Sequence, residues 1–486
     1  MQGKTRWSRM RQQLHLYLLA FLAAAMLNAC GGGDSGAQHD QGQVLVTLTD
    51  AEGDFVNYTV DVLSIKLEKA NGTQVEVLPM NTRIDFAAYT DMTEFLTAAS
   101  VPRGIYTKGT LVLDYSNADI WVEDNTGEAQ QVTEFLDSNG APLTTIEVKV
   151  NLEDRGSLPI APGIPKNLML DFDLEQSNTV SFGDPISVTV APVIVVDIDP
   201  VAPKVHRTRG PLKSVDVANN EFEIYIRPFF HPIRLGQRIF GSLRVQTGND
   251  TFYEIDGVSY QGTDGLTVLD TLSQFSAIIA VGDLKFAPLR FEATEVYAGD
   301  SVPGGDMDVV RGTVVSRDGD NKIVVKGATL FRSDGAVLFN DKVTVQLDAS
   351  TTVTKQLNLG TFSIDDISVG QRIAVFGMIT NDVVSDLQMS AVNGYARMRL
   401  SSVHGDVLAL PDGDTILSMN LDAINGRSIS IYDFTGTGSN ATDYKVDSGT
   451  LSLDNLLGGD TIAVRGFPTA FGAAPPDYTA QSIIKH

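Results

Sequence analysis

The chain has 486 residues, with 60 acidic against 36 basic side chains, a net charge of −24 at pH 7 and a single cysteine. That balance excludes a phosphate-backbone surface, which needs clustered Lys and Arg to release counterions, so nucleic acid is not expected as a partner. One cysteine excludes an intrachain disulfide and a Cys-ligated zinc site, leaving packing to hold the fold.

The first elements are those of an export signal over residues 1–29. Lys4, Arg6, Arg9 and Arg11 occur with no acidic residue, and an apolar run from Leu14 to Met26 follows. At 1.5 Å per residue this run is too short to span a hydrocarbon core, which takes ~20 residues, so cleavage is expected rather than a permanent transmembrane helix. Leu27-Asn28-Ala29-Cys30 resembles the lipobox of bacterial lipoproteins, with an aliphatic residue at minus three and a small one before the cysteine. The resemblance implies cleavage between Ala29 and Cys30, diacylglycerol on the Cys30 sulfur and an acyl group on its new amino terminus, a multi-chain anchor firmer than one chain gives. Residue 31 is Gly rather than Asp, so inner-membrane retention is not signalled and a lipid-anchored location in the cell envelope, at the outer membrane, is expected. Losing the four signal cations takes the net charge from −24 to −28.

Residues 30–42 are rich in Gly, Ser, Asp and Gln and read as a flexible tether. Its Gly33-Asp34-Ser35-Gly36 matches a serine-protease nucleophile motif by chance, since the segment has no core to position a partner histidine.

Beyond it, apolar and polar residues alternate, as in Val44-Leu45-Val46-Thr47-Leu48 and Val60 to Leu67, the period of strands with one buried face. Glu52-Gly53-Asp54, Asn71-Gly72, Asn139-Gly140 and Asp318-Gly319-Asp320 supply turns. The clearest helix is predicted over Asp91 to Ala99, with Asp91 as cap and Glu94 three residues on. Linkers are predicted at Asp197 to Lys204 and at Ala298 to Asp308, where Pro, Gly and Asp concentrate.

After the first linker the chain repeats itself. Each copy opens with a strand containing Gly210, Gly312 or Gly405 and later reaches an apolar strand closed by Gly282, Gly377 or Gly466. The opening-to-closing intervals are 72, 65 and 61 residues, and a final strand follows with Ala293, Ala391 or Ala480. Copies with about five strands each suit small closed barrels, which remove exposed sheet edges. The predicted boundaries are 43–200 for an N-terminal domain, then 207–299, 309–398 and 399–486 for the copies.

Two family resemblances cover most of this. Leu48-Thr49-Asp50-Ala51-Glu52-Gly53-Asp54, Pro102-Arg103-Gly104-Ile105-Tyr106-Thr107, Leu111-Val112-Leu113-Asp114, Leu170-Asp171-Phe172-Asp173 and Pro192-Val193-Ile194-Val195 resemble, in order, an uncharacterised lipoprotein domain. That resemblance implies an immunoglobulin-like or transthyretin-like sandwich. Residues 207–486, most recognisably Val369-Gly370-Gln371-Arg372-Ile373, resemble repeats of a second bacterial domain of unknown function and imply OB-like barrels. The expected fold is therefore all-β, a sandwich followed by three small OB-like barrels. Neither resemblance implies a catalytic residue.

Candidate chemistry is sparse. His15, His39 and His486 lie in the signal, tether and terminus, and His206, His231 and His404 are too dispersed for a zinc site. No phosphate-binding glycine loop occurs. Asp171 with Asp173, and Asp197 with Asp199, have the i, i+2 spacing that puts two carboxylates on one strand face, where solvation explains them more simply than acid–base work. No cofactor is expected; if calcium binds, the turn of Asp50, Glu52 and Asp54 holds its oxygen ligands, although Asx-turn geometry alone accounts for Asp50 and Asp54. Phe229, Phe230 and His231, followed by Pro232, offer either an aromatic glycan contact or core packing, and Trp121 is the sole tryptophan after the signal. The expectation is a non-enzymatic envelope lipoprotein that binds, scaffolds or adheres, with the membrane, envelope proteins or glycans as partners. The alternatives are a carbohydrate-active hydrolase using a carboxylate pair and a calcium-dependent adhesin.

Overall fold

In the computed structural model, residues 40–50, 55–89, 92–152, 156–199, 205–227, 240–286, 289–319 and 321–485 are described. Ala29 and Cys30, the signal, nearly all of the tether, Glu52, Asp54 and the Phe229–His231 segment lie outside these residues, as does the side chain of Asp50. No helix among the described residues is long and apolar enough to cross a membrane.

The fold is all-β, as the alternation predicts. Gln41–Asp50 lies between Lys166–Phe172, to which it runs parallel, and Met92–Pro102, to which it runs antiparallel; Ile194–Ile198 extends the same sheet. Gln41 and Gly42, read from composition as the end of the tether, are already paired with Pro102 and Val101. The facing sheet is built on two long strands, Phe55–Lys69 and Gly104–Glu123, which bury alternate residues. Val44, Val46 and Leu48 of one sheet and Tyr58, Val60 and Val62 of the other share one core. This is the N-terminal sandwich.

The predicted helix over Asp91 to Ala99 is a strand instead, Met92–Pro102. Thr93 to Ala98 are all buried, because the strand is central, with Gln41–Asp50 on one side and Val205–Arg207 on the other. A strand covered on both faces shows no alternation, and β-branched Thr93, Thr97 and Val101 suit it better than a helix. The one helix of two turns or more among the described residues is Gly262–Asp270, whose Leu266 and Leu269 are buried.

Each repeat closes into a five-stranded barrel of the OB type, with its first three strands in sequence and the fifth inserted beside the third. In the second copy Asp308–Arg317, Lys322–Phe331, Val337–Gln346, Leu387–Arg399 and Arg372–Asn381 pair in that circular order, the third contact being parallel. The first copy, within 205–298, and the third, within 401–485, repeat the order. The repeated glycines mark where the barrels bend. A Cβ on Gly405 would lie 1.9 Å from the Asn420 carbonyl oxygen, and one on Gly377 2.2 Å from that of Ser390, and the ladder registers shift beside both.

The modules form a ring. The first barrel continues the sandwich sheet, because Val205, His206 and Arg207 pair in parallel with Met92, Thr93 and Glu94, and one core runs through both. The first and second barrels are joined by Arg397 on Glu254 and by Gln356 on Glu295. The second and third share Val315 and Val369 in a common cluster with Val403, and Asn425 donates to the Gly370 carbonyl. The ring closes where Arg427 of the third barrel meets Glu123 of the sandwich and Lys326 of the second meets Glu128.

Candidate functional site

The ring encloses a cavity of about 1290 Å³ to which the sandwich and all three barrels contribute. Val337 and Leu338, 41% and 51% exposed, line its mouth.

Its charges are segregated by module. The sandwich supplies the acidic lining, Asp61, Asp85, Asp119, Glu123, Asp124 and Glu175, while the basic lining comes from the barrels, apart from Arg83. The repeat explains part of this. The residue before the opening glycine is Arg209, Arg311 and His404 in the three copies, and all three line the cavity. A side chain one residue from a conserved bend is aimed the same way each time, so three equivalent positions converge on the ring centre.

Several of these cations are neutralised. Glu94, fully buried, takes Arg207 and, at 2.9 Å, Arg209, which also donates to the Tyr89 hydroxyl. Arg427 is held by Glu123 and the Gly127 carbonyl, and Arg83 lies 3.4 Å from Asp61.

Two are not. Arg311 lies with its guanidinium 4.8 Å from the centre of the Phe331 ring, and its Nε is buried without a hydrogen-bond partner among the described residues. Among the described residues no carboxylate pairs with Arg311 or Arg399. Burial, reinforced by repulsion from Arg399, Arg207 and Arg209, pulls the Arg311 pKa well below its ordinary value. Burial and the neighbouring Arg372 bring Arg399 down to about 10. The three occupy the outer face of the second barrel: Arg372 is opposite Arg399, and Arg311 is opposite Ala374, two residues along the same strand.

The acidic wall is differently disposed. Asp85 and Asp119 stand on strands flanking Phe55–Lys69, both opposite Thr59. Burial lifts the Asp85 carboxyl to about 6, and it accepts the backbone N–H of Tyr58 at 3.0 Å. Asp119 accepts the indole N–H of Trp121 at 2.8 Å, and Trp121 packs on Phe339, which lines the cavity.

The carboxylate pairs expected from spacing do not form. Asp171 lies in Lys166–Phe172, but Asp173 follows the strand and caps the turn Leu174–Ser177 by accepting from the Gln176 N–H. Asp197 lies in Ile194–Ile198, whereas Asp199 has a φ of 48° and turns back onto Lys166 and the Asn167 N–H. In both cases a short polar side chain satisfies backbone donors at a strand end, where the two-residue period no longer applies. His206 is buried against Phe95, away from any ligand set, and His404 lines the cavity. Among the described residues, no group of three His, Cys, Asp or Glu is placed to hold a metal ion. The arginines escaped sequence reading because they are scattered from 207 to 465; the available signal was the basic residue preceding each opening glycine.

What the fold and site define is an all-β protein of a sandwich and three OB-like barrels ringed round a cavity with one basic and one acidic wall. Residues 41–185 match the family model of a domain of unknown function (DUF4382). No curated protein matches the chain. Among solved structures, the Drosophila Unr fragment CSD456 aligns over 59% of this chain and 99% of its own at 10% identity, with a TM-score of 0.14. A candidate cell adhesion protein of Parabacteroides distasonis aligns over 74% and 98% at 9% identity, also with a TM-score of 0.14. At that score neither defines a shared architecture.

Proposed function

We propose that this chain is an exported lipoprotein of the bacterial cell envelope, anchored through Cys30, which binds a ligand in the central cavity without transforming it. The observation that carries the reading is a cavity walled by all four modules, since a ring that only needed stability would gain more by filling the space. The lipobox and the tether before Gln41 support the anchor. The carboxylates of the cavity support binding over catalysis: Asp85 is engaged with the Tyr58 N–H and Asp119 with the Trp121 indole, so each orients its own wall.

Native mass spectrometry of the full chain extracted from cell membranes tests both halves. The expected result is an acyl mass that disappears in Cys30→Ser, and a retained molecule released on unfolding. A free thiol at Cys30 overturns the anchor, and chemical turnover of the retained molecule by the purified chain overturns the binding role.

A further inference from the structure

We infer that the ligand of the cavity carries an oxyanion group, a carboxylate, phosphate or sulfate, seated on Arg311 and Arg399, with a hydroxyl-rich remainder directed to the acidic wall. The inference rests on the cavity being a ligand site and goes on to name the chemistry of what enters it.

Elsewhere in this chain, enclosed guanidinium groups meet carboxylates. Arg207 and Arg209 share Glu94, Arg397 takes Glu254, and Arg427 takes Glu123. Acidic residues outnumber basic ones, 60 to 36, so counter-charges are plentiful. Yet among the described residues Arg311 and Arg399 stand on one barrel face without a carboxylate, beside a third arginine, and the buried Nε of Arg311 has no acceptor. An enclosed cation left without its counter-charge is costly, and so is a like-charged neighbour on the same sheet face. An incoming anion removes both costs at once.

Guanidinium selects among anions. Its planar fork of N–H donors matches the two oxygens of a carboxylate, phosphate or sulfate, which a single point charge such as an ammonium does not. The remaining space sets the rest of the ligand. Pockets for single small molecules run from about 300 to 1,000 Å³, so a cavity of about 1290 Å³ accepts more than one inorganic ion. On the sandwich side, Asp61, Asp119 and Asp124 already accept from Arg83, the Trp121 indole and Thr126, and their negative charge repels a second anion while their remaining lone pairs receive hydroxyl donors. A net charge of −24 also repels long polyanions from the outer surface. The chemistry that satisfies both walls is a short acidic saccharide, with its anionic group on the barrel side and its hydroxyls on the sandwich side.

Isothermal titration calorimetry on the full-length chain, with 3′-sialyllactose, which carries a single carboxylate, inorganic phosphate and maltotriose as probes, tests this directly. Sialyllactose is expected to bind at least about tenfold more tightly than phosphate, and maltotriose more weakly than either, because only the first addresses both walls. Arg311→Gln and Arg399→Gln should each weaken sialyllactose by about tenfold or more, while Arg244→Gln, an exposed site on the first barrel, leaves it unchanged. Circular dichroism melts confirm that the variants fold. Phosphate binding as tightly as sialyllactose overturns the saccharide and leaves the oxyanion seat. If both glutamine variants bind as the parent does, or no anion binds, the seat itself is overturned. A neutral molecule found in the cavity by mass spectrometry would then leave the binding role standing, whereas an empty cavity would remove both.

Discussion

Arg372 and Arg399 stand directly opposite one another on adjacent antiparallel strands of the second barrel, Arg372–Asn381 and Leu387–Arg399. Like charges so placed repel, and each such pair costs a few tenths of a kcal/mol to about 1 kcal/mol. Arg399→Gln is therefore expected to stabilise the ligand-free protein, raising its melting midpoint by about 1 °C, even as it weakens the anion seat. A variant that lowers both stability and binding would mean that Arg399 serves packing alone.

Glu94 is the opposite case. It is fully buried and takes both Arg207 and Arg209 at the junction of sandwich and first barrel. Glu94→Gln keeps the shape but leaves two guanidinium groups facing a neutral amide, at a cost of about 3 kcal/mol. The denaturation midpoint of that variant should fall accordingly; an unchanged midpoint would show that the pair of arginines is solvated rather than enclosed.

The repeated glycines make a sharper mutational prediction. At Gly405 a Cβ would fall 1.9 Å from the Asn420 carbonyl oxygen, whereas at Gly413, in a turn with φ of 79°, it would meet nothing within 4 Å. Gly405→Ala forces the backbone of the third barrel apart and should cost about 3 kcal/mol, while Gly413→Ala costs about 1 kcal/mol for its left-handed turn alone. Limited proteolysis of the two variants separates them: early cleavage within 401–485 is expected only for the first.

Acid should bear on the fold through His206. It is 6% exposed, packs against Phe95, and neither ring nitrogen has a hydrogen-bond partner among the described residues. Burial, partly offset by Asp283, pushes its pKa down to about 4. The unfolded chain takes up a proton near pH 6.5 that the folded chain refuses until about 4, so this contribution is complete above pH 6.5 and lost as the pH falls through that window. The loss is on the order of 3 kcal/mol. Asp85 acts in the opposite sense. With its carboxyl lifted to about 6, its contribution is complete below about 3.8 and is lost as the pH rises through 6. Between pH 4 and 6 the two slopes oppose, so the parent protein should change little there. His206→Gln removes one slope, and its stability relative to the parent should improve steadily from pH 7 to pH 4; a difference that is constant with pH would contradict the assignment.

Strands with one wet face were legible from their alternation, and Phe55–Lys69 shows why, since its buried and part-exposed residues largely alternate along the chain. The repeat glycines were legible because a close carbonyl approach recurs at each barrel bend. Met92–Pro102 was misread because its pairing partners, 41–50 and 205–207, are remote in sequence, and only they reveal that both faces are covered. Asp173 and Asp199 were misread for a related reason: the strand period was extended past the point where the strands stop. The cavity was least visible of all. Its basic lining, Arg83 apart, is scattered from 207 to 465, and whether a guanidinium meets a carboxylate is a property of distance in space, which no spacing along the chain encodes.

The first described strand has a mechanical consequence. Gln41–Asp50 is held by a parallel ladder on one side, from Val44 with Lys166 to Asp50 with Phe172, and by an antiparallel ladder on the other. A pull on its amino-terminal end, directed along the strand, strains both ladders in shear, so their hydrogen bonds share the load and must fail together instead of unzipping singly. Because Met92–Pro102 passes that load on to Val205–Arg207, tension applied at the front of the chain is spread into the first barrel before any part of the sandwich can peel away.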